Sequence, residues 1–232
     1  MNRRVQQYAH NADLVGDLAH EIVSNLRVAI EARGHASIAV SGGSTPIALF
    51  KYLSSQQLDW QKVVITLVDE RWVPETSNDS NAKLVQTHLL QDCAADAKFV
   101  SLKTTSADPF IAAQDVAATL QLQVLPLDIA ILGMGEDGHT ASFFPASDGL
   151  EEALHSDRVC CGMRPRAAPH ARMTLSLTTL LNAKQLYLHI IGPRKKTVLE
   201  AAMLAGPVEE LPVRGVLQQN KVPLEIYYAE SD

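Results

Sequence analysis

Cysteine is scarce in this 232-residue chain: there are three, Cys93, Cys160 and Cys161. An odd count that includes an adjacent pair, able to close only a strained ring, excludes a disulfide framework. Neither Cys-x-x-Cys nor a His/Cys cluster at zinc spacing occurs, so no metal is expected. Aromatic residues make up only 5%. Positive charge is in deficit, with 20 Lys+Arg against 26 Asp+Glu and a net charge of −6. That balance argues against a general nucleic-acid partner, which needs a basic face to displace counterions. A small anionic ligand is still permitted, because a pocket can oppose the net charge. Long apolar runs are absent too; none approaches the ~20 residues that span a bilayer. The start, Met1-Asn2-Arg3-Arg4-Val5-Gln6-Gln7-Tyr8, lacks the apolar core of a signal peptide. A soluble, cytoplasmic chain without a membrane partner is expected.

Hydrophobic residues, at 47%, are far too many for a disordered chain. The length suits one domain over residues 1–232, burying about 70% of its unfolded surface. Between Asp13 and Arg33, apolar side chains at Leu14, Leu18, Ile22, Leu26, Ala29 and Ile30 make a helical stripe, stopped by Gly34. Ser37–Val40, Val63–Val68, Leu127–Leu132 and Leu186–Ile191 are buried strands, and Leu224–Tyr228 closes the chain. Met173–Leu177 alternates like a half-buried strand. Helices are predicted after Pro46, after Asp108-Pro109 and over Lys195–Leu204. Residues 145–172 form the least regular stretch. Strands that alternate with helices, several apolar throughout, predict an α/β fold: a mainly parallel sheet with helices on both faces.

Ligands of such folds gather where strands end, and three unusual loops sit at predicted strand ends. Ser41-Gly42-Gly43-Ser44-Thr45-Pro46 joins a strand to a helix. Its glycines let backbone N–H groups approach an anion, its hydroxyls add donors, and the helix dipole lies behind. It is equally a tight turn capped by Ser44 or Thr45. It has neither a P-loop lysine nor Gly-x-Gly-x-x-Gly spacing, so no nucleotide cofactor is expected. Asp69-Glu70-Arg71 follows a buried strand; it suits an ion pair at a helix start, or an arginine that grasps an anion beside a working carboxylate. Gly133-Met134-Gly135-Glu136-Asp137-Gly138-His139 is the most specific of the three, with glycine amides able to form an oxyanion nest and a histidine that titrates near neutrality. The other histidines, His170 and His189 among them, read as surface or structural. Arg172 and Lys195 stand at later element ends within reach of a shared crevice.

These segments resemble the 6-phosphogluconolactonase family. The match takes in Ser41–Pro46, Asp69-Glu70-Arg71 with Ser80-Asn81, and Gly133–Pro145. It continues through Arg172-Met173-Thr174-Leu175-Ser176 and Gly192-x-x-Lys195, over nearly the whole chain. The first loop is shared with the wider sugar-phosphate isomerase and deaminase superfamily. Phe143 stands where leucine or isoleucine is commoner, a mild departure. The sister deaminases end the third loop with Asn-Glu-Pro, and Phe143-Phe144-Pro145 replaces it here.

The resemblance implies a Rossmann-like fold of the isomerase/deaminase type and hydrolysis of 6-phospho-D-glucono-1,5-lactone to 6-phosphogluconate. This is a step of the oxidative pentose phosphate pathway that needs no metal or cofactor. His139 is then the expected base, with Asp69 or Asp137 orienting its ring. Gly42, Gly43, Ser44, Thr45, Arg71, Gly135, Gly138, Arg172 and Lys195 are expected to hold the phosphorylated lactone. A monomer or weak homo-oligomer is expected. The rivals are a deaminase, which lacks its loop glutamate here, and a sugar-phosphate sensor, for whose DNA-binding module the region before Ser37 leaves room for only one long helix.

Overall fold

The computed structural model describes residues 3–232. Met1 and Asn2, which fall within the expected 1–232 domain, lie outside the described residues. In chain order the first half comprises β1 (Arg3–His10), α1 (Asn11–Arg33), β2 (Ala36–Val40), α2 (Ile47–Ser54), β3 (Val63–Leu67), β4 (Asp69–Arg71), α3 (Asn81–His88), β5 (Lys98–Phe99) and α4 (Pro109–Gln123). The second half comprises β6 (Ile129–Leu132), α5 (Leu150–His155), β7 (Cys160–Met163), β8 (Arg172–Leu175), α6 (Leu177–Leu180), β9 (Gln185–Ile191), α7 (Pro193–Met203), α8 (Arg214–Leu217) and β10 (Leu224–Ser231).

Seven strands form one parallel sheet in the order β1-β10-β9-β6-β2-β3-β5. β2 and β6 are buried along their whole length, as strands covered on both faces must be. The chain moves across the sheet in one direction from β1 through β2 and β3 to β5. It moves in the opposite direction through β6, β9 and β10. With right-handed crossovers, this reversal puts α1, α2 and α3 on one face and α4 and α7 on the other. The connections leaving the adjacent strands β2 and β6 therefore part company, opening a crevice beyond their carboxyl ends. The α1 stripe of Leu14, Leu18, Ile22 and Leu26 is fully buried, each side chain contributing about 1.5–3 kcal/mol. Gly34, at φ +80°, ends the helix in the left-handed conformation, its N–H donating to the Ile30 carbonyl. No described helix is long and apolar enough to cross a membrane.

A second sheet, antiparallel in the order β4-β8-β7, departs from the expected plan. The strand expected over 63–68 stops at Leu67, and Val68 links the two sheets. Its N–H donates to the Val40 carbonyl in the large sheet, while its carbonyl accepts from Leu175 N–H in the small one. The strand expected over 173–177 is β8, Arg172–Leu175, and all four residues are buried. Its polar alternation came from Thr174 and Ser176; Thr174 is buried, its Oγ1 donating to the Leu175 carbonyl. Ser176 caps α6 instead, accepting from Thr179 N–H. The irregular 145–172 region contains α5 and β7. Burial pushes the β7 thiols up, Cys160 to about 12 and Cys161 to about 11, so both stay protonated and unreactive.

Candidate active site

The crevice is a cavity of about 370 Å³ at the strand reversal, within the usual range for small-molecule sites. Loops and element ends from across the chain build it. The loop after β2 contributes Gly42, Gly43, Ser44 and Thr45. A Cβ on Gly42 would lie 1.8 Å from the Asn81 side-chain oxygen, so only glycine lets this loop close onto α3. Gly43 sits at φ +88° with open space where a Cβ would be. Among the described residues, the N–H groups of Gly42 to Thr45 find no protein acceptor. They precede α2, so unpaired donors and the positive end of the helix dipole coincide.

β4 and the start of α3 form the second wall. Glu70 is fully buried and works as a helix cap: Oε1 accepts from the N–H groups of Arg71 and Asn81, both at 2.7 Å. Oε2 accepts from Ala82 N–H at 2.7 Å and Ser80 Oγ at 3.0 Å. Burial pushes this carboxyl above its usual range, against the pull of those four donors. Asp69 turns the other way. Its Oδ2 accepts from Ser142 Oγ at 2.5 Å and lies 3.9 Å from Arg172 Nη1, while Asn81 Nδ2 donates to its carbonyl at 2.8 Å. Of the two readings of Asp69-Glu70-Arg71, Glu70 fits the helix-start role and Asp69 with Arg71 the crevice.

Arg71 and Arg172 are register partners across the antiparallel pair β4·β8. Like charges directly opposite are unfavourable unless something compensates. Arg71 Nη1 donates to the Asp79 carbonyl and Arg172 Nη2 to that of Pro169. Each Nε is buried without a partner. Burial draws Arg172 below its usual range, with Asp69 opposing the shift, and does the same to Lys195, with Glu136 opposing. Three cations, Arg71, Arg172 and Lys195, line the cavity with a single carboxylate, Asp69. The local charge is thus opposite to the net charge.

The third loop carries His139. Asp137 Oδ1 lies 2.5 Å from His139 Nδ1 and accepts from its backbone N–H at 3.1 Å. A carboxylate can only accept, so the ring proton sits on Nδ1 and Nε2 is the basic nitrogen. Burial raises Asp137, but its bonds from His139 outweigh that and hold the carboxyl below its usual range. Of Asp69 and Asp137, the two carboxylates left open, it is Asp137 that contacts the imidazole. Gly135 makes room for this pair, since a Cβ there would meet the imidazole at 2.2 Å and Asp137 at 2.5 Å. The glycine-nest expectation fails at Gly135 and Gly138. Gly135 N–H donates to the His139 carbonyl and Gly138 N–H to that of Gly135, and Gly138 lies off the cavity wall. Among the described residues that line the cavity, the glycine N–H groups without a protein acceptor are those of Gly42, Gly43 and Gly133.

Two residues that reach the cavity were not among the expected site residues. Phe144 lines the cavity beside His139. His189, on β9, also reaches the wall, although it is only 2% exposed. Its Nε2 lies 3.2 Å from Asn11 Oδ1, and its Nδ1 is buried without a partner. Burial, helped by the charge of Lys195, pushes His189 down to about 4. The unfolded chain therefore takes up this proton near 6.5 and the folded chain only near 4. Stability is expected to fall by about 3 kcal/mol as pH drops through that window. Urea melts at pH 7 and pH 4.5 check this: His189→Asn should flatten the slope, and an unchanged slope would assign the loss to other groups.

Fold and site together define an open α/β protein with a cationic, amide-lined crevice and a histidine–carboxylate pair at its strand reversal. The chain belongs to the glucosamine-6-phosphate isomerase/6-phosphogluconolactonase family, whose model matches residues 9–224. It is 43% identical to a Rhizobium meliloti 6-phosphogluconolactonase, covering 99% of this chain and 100% of the relative. A Pseudomonas putida 6-phosphogluconolactonase is 40% identical over 97% of this chain and 92% of that protein. The crystal structure of a Shewanella baltica 6-phosphogluconolactonase superposes with a TM-score of 0.95 at 42% identity, covering 98% of this chain and 97% of that one.

Proposed function

We propose that the chain is a 6-phosphogluconolactonase, hydrolysing 6-phospho-D-glucono-1,5-lactone to 6-phosphogluconate in the oxidative pentose phosphate pathway. The observation that carries this reading is the His139–Asp137 pair at 2.5 Å on the wall of a cationic cavity. A lactone is an activated ester, so a base, oxyanion donors and a phosphate anchor are enough. His139 Nε2 takes a proton from water as the water oxygen bonds to the lactone carbonyl carbon. The resulting oxyanion is met by N–H groups of the Gly42–Thr45 loop. Collapse of the intermediate breaks the bond to the ring oxygen, which receives the proton from His139. Asp137 holds the ring and balances the imidazolium. Asp69, fixed by Ser142, Asn81 and Arg172, orients water or a sugar hydroxyl.

Lys195, with Arg71 and Arg172, anchors the phosphate and so fixes the ester against the base. Lys195→Ala is expected to raise KM for the lactone about tenfold or more, with a smaller change in kcat; an unchanged KM would move the phosphate elsewhere. The deciding experiment generates the lactone in situ, couples 6-phosphogluconate formation to its oxidation and subtracts spontaneous hydrolysis. No rate above background would overturn the reading. Release of ammonia from glucosamine 6-phosphate would point to the deaminase branch instead.

A further inference from the structure

Phe143 and Phe144 are adjacent near the end of the third loop, and the two rings do different things. Phe143 is wholly buried in the core. Phe144 lines the cavity, and its ring stacks on the His139 imidazole with centroids 4.1 Å apart and planes 25° from parallel. The Arg172 guanidinium carbon lies 5.3 Å from the centre of the same ring. The tight turn before it sets this position. Phe143 N–H donates to the Thr140 carbonyl, Ala141 adopts φ +47°, and Ser142 is tied to Asp69.

We propose that Phe144 is a positioning residue for His139: its π-face holds the imidazole against Asp137 and stabilises the imidazolium formed when water is deprotonated. The reasoning is chemical. For a neutral imidazole, stacking on a phenyl face is a modest, mainly dispersive contact. Once Nε2 has accepted the proton, the ring is a cation against an aromatic face, an arrangement strengthened by the ring quadrupole. The gain is thus larger in the charged intermediate than in the ground state, which is what lowers a barrier. Arg172 makes the second contribution necessary. Besides Asp137, the charged groups that share the cavity with His139 are Asp69 and Arg71 from β4, Arg172 from β8 and Lys195 from α7. A new positive charge in this setting is opposed by three cations. The phenyl ring touches His139 and lies within cation–π reach of Arg172, so it offers both an electron-rich surface. Asp137 balances the imidazolium at Nδ1, and Phe144 balances it across the ring plane.

This inference rests on the lactonase reading with His139 as base, and the test separates the two. Phe144→Leu, Phe144→Tyr, His139→Ala and the His139→Ala/Phe144→Leu double variant are compared in the coupled assay on the full chain. Thermal melts confirm that each is folded. Phe144→Leu is expected to lower kcat about tenfold with KM within twofold of the parent, and Phe144→Tyr to keep most of kcat. In the His139→Ala background, Phe144→Leu should cost nothing further, because the cation it stabilises no longer forms. Three results would overturn the proposal: a Leu variant with parental kcat, a loss confined to KM, or an equal further loss without His139. A Tyr variant as poor as Leu overturns it as well, because that would be a packing effect. If His139→Ala itself keeps its turnover, the base assignment has failed and this proposal falls with it, whereas a loss at His139 with a parental Phe144→Leu overturns the proposal alone.

Discussion

His139→Ala is expected to lower kcat for lactone hydrolysis by about 100-fold or more, the usual contribution of a positioned general base. The argument begins with the tautomer. Asp137 accepts at Nδ1, so Nε2 carries the lone pair, and no second imidazole in the cavity can replace it. His189 is buried, anchored through Nε2 to Asn11 and pushed down to about 4, too weak a base for water at neutral pH. Asp137→Ala should cost less than loss of His139, because a base remains, though one free to rotate. The two residues act as a unit, so the double variant should be no slower than His139→Ala alone. Additive losses would show that Asp137 acts independently, and a His139→Ala variant with near-parental turnover would remove His139 from the chemistry. Spontaneous hydrolysis of the lactone must be subtracted at each pH, since a slow variant is read against that background.

Much of the large sheet was legible in the sequence because its strands are apolar throughout and its loops carry glycine. Ser37–Val40 and Leu127–Leu132 run straight into the two loops that face each other across the strand reversal. β1 was hidden. In Arg3–His10 only Val5, Tyr8 and Ala9 are apolar, because an edge strand faces solvent on most sides and its pairing with β10 is made by the backbone. The small sheet was hidden for another reason. A three-residue strand, Asp69–Arg71, has no periodicity to detect, and its partner β8 buries Arg172 and Thr174 through tertiary contacts that no local pattern encodes. At the site, residue type located the loops but not the roles within them. Asp69 and Glu70 are adjacent carboxylates, and only the direction of each side chain decides that one caps a helix while the other faces the cavity. In the same way, Gly135 and Gly42 both looked like sources of free amides. Backbone hydrogen bonds within the loop take up the first, while Gly42 is a close approach to Asn81 with its N–H left unpaired.

Glu70→Ala is expected to be the most destabilising single change near the site, although its side chain does not line the cavity. Its carboxylate accepts four hydrogen bonds, three from backbone N–H groups at the start of α3 and the end of β4 and one from Ser80. Every lone pair is engaged, and the four donors with the positive end of the helix oppose the burial that raises this carboxyl. Removing it leaves several buried donors without acceptors, each costing about 1–3 kcal/mol where water cannot replace the oxygen. A net loss of about 3 kcal/mol or more is expected, which in a chain of this size lowers Tm by on the order of 10 °C. Glu70→Gln should lose less in volume, but its amide group would face an N–H donor and cannot accept all four bonds. It should therefore fall between the parent and Glu70→Ala. Calorimetry checks the order, and a Glu70→Ala variant melting within about 2 °C of the parent would contradict it. The functional consequence follows from connectivity: β4 carries Asp69 and Arg71 on either side of Glu70, and α3 begins with the Asn81 that braces Asp69. Below its melting point, Glu70→Ala should lose turnover through both KM and kcat, because the anchor and the orienting carboxylate move together. A loss confined to stability would show that Arg71 and Asp69 are held by β8 alone.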